Sequence, residues 1–323
     1  MVSYLYENNQ KSVLIESFCI YNFVKKVMEN STNNSQTINQ QLSGVADTLY
    51  IPLVARIAVS KKFPEYFYCQ KSLDLEDNIP DVAKKMMQKE YEIIASAARY
   101  YNLDKIVLNF ISQSKKCNII NLGAGFDTMY HRVKQNLQVS ADYKFYELDF
   151  PKVIEQRKEV IGEGENDFLI EDNINNLDWA KKIEDPSLPT LMVASGVFQY
   201  FHRDEFLLFI NKVKEIFPKG EIVFDATDKF GLKMANYFVR RTGNKAATMF
   251  FYIKSAKEIA ETSNTTLYNH LTFFTDARKI LSSKLKISTK ILMWLSDKLK
   301  KSNIIHLKLN SNCYLYSAKK HQA

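Results

Sequence analysis

Asn118-Ile-Ile-Asn-Leu-Gly-Ala-Gly-Phe-Asp-Thr128 joins a short apolar run to two closely spaced glycines and then to a helical pattern. An apolar run of this length, bounded by glycine, predicts a buried strand ending at Leu122. Gly123, Ala124 and Gly125 then form a sharp turn, where a glycine lacks the Cβ that would keep the backbone off a ligand. A dinucleotide fingerprint would place a third glycine at residue 128, and this chain has threonine. That glycine brings the helix close enough to receive a pyrophosphate, so its absence points to a nucleoside ligand without a diphosphate. S-adenosyl-L-methionine has that form.

The rhythm continues outward from this turn. β-Rich runs at 118–122, 143–148, 167–170, 190–194 and 221–224 alternate with helical stretches at 151–161 and 203–217. Strand–helix alternation predicts an α/β fold, a doubly wound, Rossmann-like and mostly parallel sheet with helices on both faces. A helix near 276–284 and strands at 303–309 and 312–318 predict an antiparallel C-terminal hairpin closing the sheet. Upstream, residues 11–29 carry apolar residues at helical spacing, 31–41 form a polar linker, and 48–59 and 82–109 read as helices. The expected organisation is an N-terminal helix and linker (1–41) before one domain (42–323). That domain divides into a helical cap (42–115), a nucleotide-binding core (116–226), an acceptor-side insertion (227–275) and a C-terminal helix with strands (276–323).

In such a sheet the ligand lies at the strands' C-terminal ends. Glu147 and Asp149 end the second strand and share one face, because side chains repeat every two residues. A carboxylate there can accept hydrogen bonds from both ribose hydroxyls, and Asp149 is the better placed of the two. Asp172 or Asn173, after the third strand, is positioned for the adenine amino group. Ser195 and Gly196, after the fourth, fall beside the reacting centre.

These pieces together resemble the leucine carboxyl methyltransferase family, and within it the bacterial polyketide-type (tetracenomycin-like) O-methyltransferases. The resemblance is carried in order by Leu42-Ser-Gly-Val-Ala-Asp-Thr-Leu-Tyr-Ile-Pro-Leu-Val-Ala-Arg56, the glycine turn, Tyr146-Glu-Leu-Asp-Phe-Pro-Lys-Val-Ile-Glu-Gln-Arg157, Asp178-Trp179, Ala194-Ser-Gly-Val-Phe-Gln-Tyr200 and Phe217-Pro-Lys-Gly-Glu-Ile-Val-Phe-Asp225. It implies a class I methyltransferase fold with S-adenosyl-L-methionine as methyl donor. It further implies that Arg56 grips the donor's methionine carboxylate, that Gly123, Ala124 and Gly125 form its loop and that Asp149 holds its ribose. Asp172 and Asn173 stand where the family has Asp-Leu, and Ser195 stands where the family has Glu. The first 40 residues and the basic C-terminal part fall outside the resemblance.

Composition narrows the function classes. The chain of 323 residues is 46% hydrophobic and 25% charged, an ordinary globular balance. Its four cysteines form no CxxC pair, so reduced thiols are expected and neither a disulfide framework nor a metal site. No secretory signal and no run of about 18 apolar residues occurs, so a cytoplasmic protein without a membrane partner is expected. The net charge of +8 concentrates in residues 254–323, which hold 13 Lys/Arg and 4 Asp/Glu. No nucleic-acid motif accompanies that charge, which disfavours such a partner. The expected partner is a small-molecule methyl acceptor, such as a secondary metabolite, methylated on a carboxyl or hydroxyl oxygen. His131 and His202 are the candidate bases, and no catalytic residue is assigned. The rival readings are an NAD(P)-dependent oxidoreductase on a similar sheet and a non-catalytic methyltransferase-like binding protein.

Overall fold

The computed structural model describes residues 45–80, 83, 89–241 and 248–310, all within the unit Leu42–Ala323. The helix expected at 11–29 and the strand expected at 312–318 lie outside the described residues. Helices α1 (Val45–Lys62), α2 (Gln70–Asp74) and α3 (Glu90–Gln113) precede the sheet. The core follows as β1 (Lys116–Leu122), α4 (Met129–Asn136), β2 (Asp142–Asp149), α5 (Pro151–Val160), β3 (Asp167–Glu171), β4 (Thr190–Ala194), α6 (Arg203–Ile216) and β5 (Gly220–Thr227). After it come α7 (Lys229–Arg241), α8 (Ala256–Thr262), β6 (Thr266–Thr272), α9 (Thr275–Ile280), α10 (Ile287–Lys298) and β7 (Ser302–Lys308).

Among the described residues seven strands form one sheet in the order β3-β2-β1-β4-β5-β7-β6. The first five run parallel, and β7 is antiparallel to both β5 and β6. Chain progression runs outward in opposite directions from β1 and β4. The crevice beyond their C-terminal ends is therefore the topological switch point, where open α/β sheets bind ligands.

The core explains why these runs became strands. Ile119, Phe145, Leu191, Val193 and Val223 pack beneath α3 and α4 on one face. The alternate residues Ile120, Leu122, Leu148, Met192 and Phe224 pack against α6 and Trp179 on the other. Strands buried on both faces read as unbroken apolar runs, which is how the sequence shows them.

The C-terminal strands show a pattern the sequence did not signal. β7 is buried along Asn303–Leu307 because it lies between two neighbours, and its described outer neighbour is β6. β6, Thr266-Leu-Tyr-Asn-His-Leu-Thr272, is a partly exposed edge strand with a register irregularity between Leu267 and Asn269. Half-covered edges need neither an apolar run nor strict alternation, so nothing local marked it. Likewise, the helix expected at 276–284 ends as α9 at Ile280, and α3 extends to Gln113, four residues beyond its expected end.

Candidate functional site

Gly123 and Gly125 adopt φ of +65° and +49°, left-handed values that side chains resist. A Cβ on Gly123 would lie 2.6 Å from Val197 Cγ2, so the turn after β1 is pressed against the loop after β4. Ala124 N–H donates to the Leu148 carbonyl (3.0 Å), fixing the turn against the end of β2. The decisive contact follows. Gly125 N–H donates to Asp149 Oδ2 at 2.8 Å, and Phe150 N–H donates to Oδ1 at 2.7 Å. Burial raises the pKa of this carboxyl, with the two backbone donors opposing that shift. The glycine turn and the acid of β2 thus converge on one spot.

Beneath that spot lies an electrostatic scaffold. Arg157, fully buried on α5, donates to the carbonyls of Gly125 (2.9 Å) and Asp127 (2.5 Å) and to Glu147 Oε1 (2.6 Å). Asn121 donates to the other Glu147 oxygen at 2.7 Å. Glu147 therefore supports the loop from below while Asp149 faces the mouth, as the strand's two-residue repeat permits. Arg132 grips Asp104 through two nitrogens and Asp127 through a third contact. Burial alone would raise Asp127, but Arg132, Arg56 and Arg157 around it hold its carboxyl below the usual range.

Thr128 occupies the missing third-glycine position for a visible reason. Its hydroxyl, fully buried, meets Cys69 Sγ (3.1 Å), Ser72 Oγ (3.0 Å) and Arg132 Nη1 (3.0 Å). The side chain fills the space between the loop and the preceding helices, where a dinucleotide site would leave room.

The remaining sequence-selected residues are distributed around this centre. Arg56, on α1, is buried with Nε donating to Ser72 Oγ (3.2 Å) and Nη2 to the Phe126 carbonyl (2.5 Å), behind the glycine turn. Asp172 N–H donates to the Asp149 carbonyl (3.0 Å), which places the end of β3 beside Asp149. The Asp172 carboxylate accepts from Asn173 N–H, and Asn173 Oδ1 accepts from Asn175 N–H, so both side chains also shape their own turn. Ser195 Oγ is buried without a hydrogen-bond partner at the mouth of β4. His202 caps α6 and stacks on Phe250 at 4.3 Å. His131 is pushed down to about 4 by burial and by nearby Lys71, Arg157, Arg132 and Lys134, so it is neutral near pH 7.

Two functional candidates, Arg99 and Asp225, escaped sequence reasoning, and they meet beside Gly196, which the sequence does place near the reacting centre. Gly196, at φ +72°, donates its N–H to Asp225 Oδ1 (2.5 Å) at the end of β5. Arg99 Nη1, from the middle of α3, donates to Asp225 Oδ2 (3.3 Å) and lies where a Gly196 Cβ would meet it at 2.7 Å. Asp225 carried a usable signal, a carboxylate at a strand's C-terminal end. Arg99 carried none, since a helical arginine 24 residues before the turn looks like any other.

One buried acid offers a test of the scaffold. Asp167 begins β3 with both carboxylate oxygens buried and lacking a hydrogen-bond donor, and burial pushes it up to about 6 against the nearby Arg157. A carboxyl raised on folding stabilises the fold fully below its unfolded pKa, and that contribution is lost as pH rises through the folded value. The stability difference between Asp167→Asn and the parent should therefore shift in the variant's favour, by on the order of 2 kcal/mol, between about pH 4 and pH 7. Urea unfolding across that range checks it; parallel stability curves would refute it.

Comparison with known proteins adds three findings. The model of the leucine carboxyl methyltransferase family matches residues 45–214. The tetracenomycin polyketide synthesis O-methyltransferase of Streptomyces glaucescens is 25% identical over 207 residues, 63% of this chain and 74% of that protein. Among solved structures, a candidate methyltransferase of Thermobifida fusca YX superposes with a TM-score of 0.51 at 11% identity, covering 86% of this chain and 98% of its own.

Proposed function

The chain belongs to the leucine carboxyl methyltransferase family, and from that premise we propose that it methylates a carboxyl or hydroxyl oxygen of a small molecule. It is an S-adenosyl-L-methionine-dependent O-methyltransferase. The observation that carries the assignment of the site is the 2.8 Å bond between Gly125 N–H and Asp149, which brings the glycine turn and the acid of β2 together at the switch point. The residues fit the donor. Side chains are excluded at Gly123 and Gly125, a carboxylate faces the mouth, and Ser195 presents an orphaned hydroxyl.

In this reading Asp149 holds the ribose hydroxyls, the ends of β3 at Asp172 and Asn173 flank the adenine, and Arg99 faces the methionine carboxylate. Arg56, locked to Phe126 and Ser72, holds the turn from behind. When bound, the donor supplies a methyl group already activated by a sulfonium. The protein's task is then to align the acceptor and exclude water. Tyr200, Phe250 and His202 rim the β4 side of the mouth and are suited to an apolar or aromatic acceptor. A carboxylate acceptor is ionised at neutral pH and needs no base, whereas a phenol of pKa about 10 benefits from one.

Two experiments test this. Incubation with labelled donor and a pool of organic acids and phenols, read by mass spectrometry, should show a methylated oxygen; labelling of none of them would refute the acceptor class. Arg99→Ala should weaken S-adenosylhomocysteine binding about tenfold or more, while methylthioadenosine, which lacks the amino acid, binds as before. Equal losses for both ligands would show that Arg99 acts only on the loop.

A further inference from the structure

Helix α10 has a core-facing side and an outward side, and the outward side is not polar. Thr289, Met293, Ser296 and Asp297 turn inward and are buried. Ile287, Ile291, Trp294 and Lys298 recur at helical spacing on the opposite side. Ile287 is 74% exposed, and Ile291 and Trp294 are each more than 40% exposed. Ile280, at the end of α9, is exposed as well. An amphipathic helix with its other side already on the core gains nothing from such a stripe in water.

The surroundings of this stripe are strongly basic. Residues 278–301 contain eight Lys/Arg and one acid, Asp297. Asp297 is buried, and Arg278 lies 3.4 Å from it. Lys284 pairs with Glu65 and Lys301 with Asp228. Lys279, Lys286, Lys290 and Lys300 have no ion-pair partner among the described residues, and Lys298 lies over the Trp294 ring at 4.9 Å. Between α9 and α10 runs a shallow hollow of about 310 Å³ lined by Arg278, Ser282, Lys290, Ile291 and Trp294. It offers two cations and a hydroxyl next to two apolar side chains, a set suited to a phosphate ester with an acyl chain beside it.

We propose that this face of α9 and α10 docks the protein onto an anionic phospholipid surface. The exposed isoleucines and tryptophan enter the interfacial layer, and the lysines, on long flexible stems, reach the phosphates around them. Aliphatic side chains at the centre of the patch argue against nucleic acid, whose backbone would bury none of that apolar area. The proposed contact is a peripheral one, and no helix among the described residues is long and apolar enough to cross a membrane. Expecting no membrane partner from the sequence rested on the absence of a spanning run, a criterion blind to a helix lying in the interface plane.

The geometry ties this face to the catalytic edge. Ser302, four residues beyond the end of α10, pairs with Thr227 at the C-terminal end of β5, two residues from Asp225. A 12-residue helix is about 18 Å long, so docking holds the ligand edge close to the lipid surface. The inference itself does not depend on the donor site.

The chain has two tryptophans, and Trp179 is fully buried, so a lipid-induced change in emission reports Trp294. The full chain should sediment with vesicles of phosphatidylcholine and about one-third phosphatidylglycerol, with a blue shift in emission, and bind far less to pure phosphatidylcholine. Lys286→Glu with Lys290→Glu should reduce the partition about tenfold or more, and Ile287→Asp with Ile291→Asp should do so without changing the thermal midpoint. Lys286, Ile287 and Ile291 are exposed and Lys290 is half-buried, so a thermal melt of each double variant is read beside the partition. Failure to bind anionic vesicles, undiminished binding by both double variants, or binding to duplex DNA or to an acidic protein instead of vesicles would each overturn the proposal.

Discussion

Asp149→Ala should lower S-adenosylhomocysteine affinity about 100-fold or more while the protein stays folded. Two hydrogen bonds from ribose hydroxyls to an ionised acceptor contribute about 1.5–3 kcal/mol each, and alanine removes both. The substitution also frees Gly125 N–H and Phe150 N–H, which the carboxylate now accepts. Phe150 is exposed, so water replaces the acceptor of its N–H, whereas Gly125 N–H is buried and keeps a desolvation cost, so the stability loss should be about 1–3 kcal/mol. Asp149→Asn keeps one acceptor oxygen and should fall between the two. Calorimetry gives the affinity and a thermal melt gives the fold. An unchanged dissociation constant for the alanine variant would remove the ribose role.

Arg157→Met should produce the largest loss of stability among the single substitutions considered. The guanidinium is fully buried and joins two loop carbonyls to Glu147, so its removal strands three acceptors in the interior. Breaking a buried charged pair on one side costs about 3–5 kcal/mol, because the remaining partner keeps its desolvation penalty. Glu147 is already raised by burial, with Arg157 opposing, and without Arg157 it will take up a proton more readily. Adding Glu147→Leu removes the stranded carboxyl and should recover part of the loss, a coupling that a double-mutant cycle in urea measures. Additive losses would show that the two residues act independently. Donor binding should weaken as well, since Arg157 anchors the carbonyl of the residue whose N–H contacts Asp149.

The legible parts of the molecule share a physical cause. β1 to β5 are central and buried on both faces, so their residues had to be apolar runs, and such runs are visible without coordinates. Asp149 was separable from Glu147 because strand geometry puts one of two same-face acids nearer the open edge. β6 was not separable from loop, because an edge strand with a half-covered face imposes no strict pattern. The role of Thr128 was only half visible. Its identity excluded a pyrophosphate, but its bonds to Cys69 and Ser72 depend on α2 being folded beneath the turn.

By itself the sequence determined the alternation of strands and helices, the strained turn at Gly123 and Gly125, and the acid that closes β2. These are local properties, set by side-chain periodicity and by the φ angles that glycine alone adopts at low cost. Only the tertiary structure decided that Arg99, Gly196 and Asp225 meet, that β7 enters the sheet between β5 and β6, and that α10 turns an apolar, lysine-ringed face outward. Each depends on where separate elements come to rest against one another. That placement is settled by packing across the whole core, and no short window of residues records it.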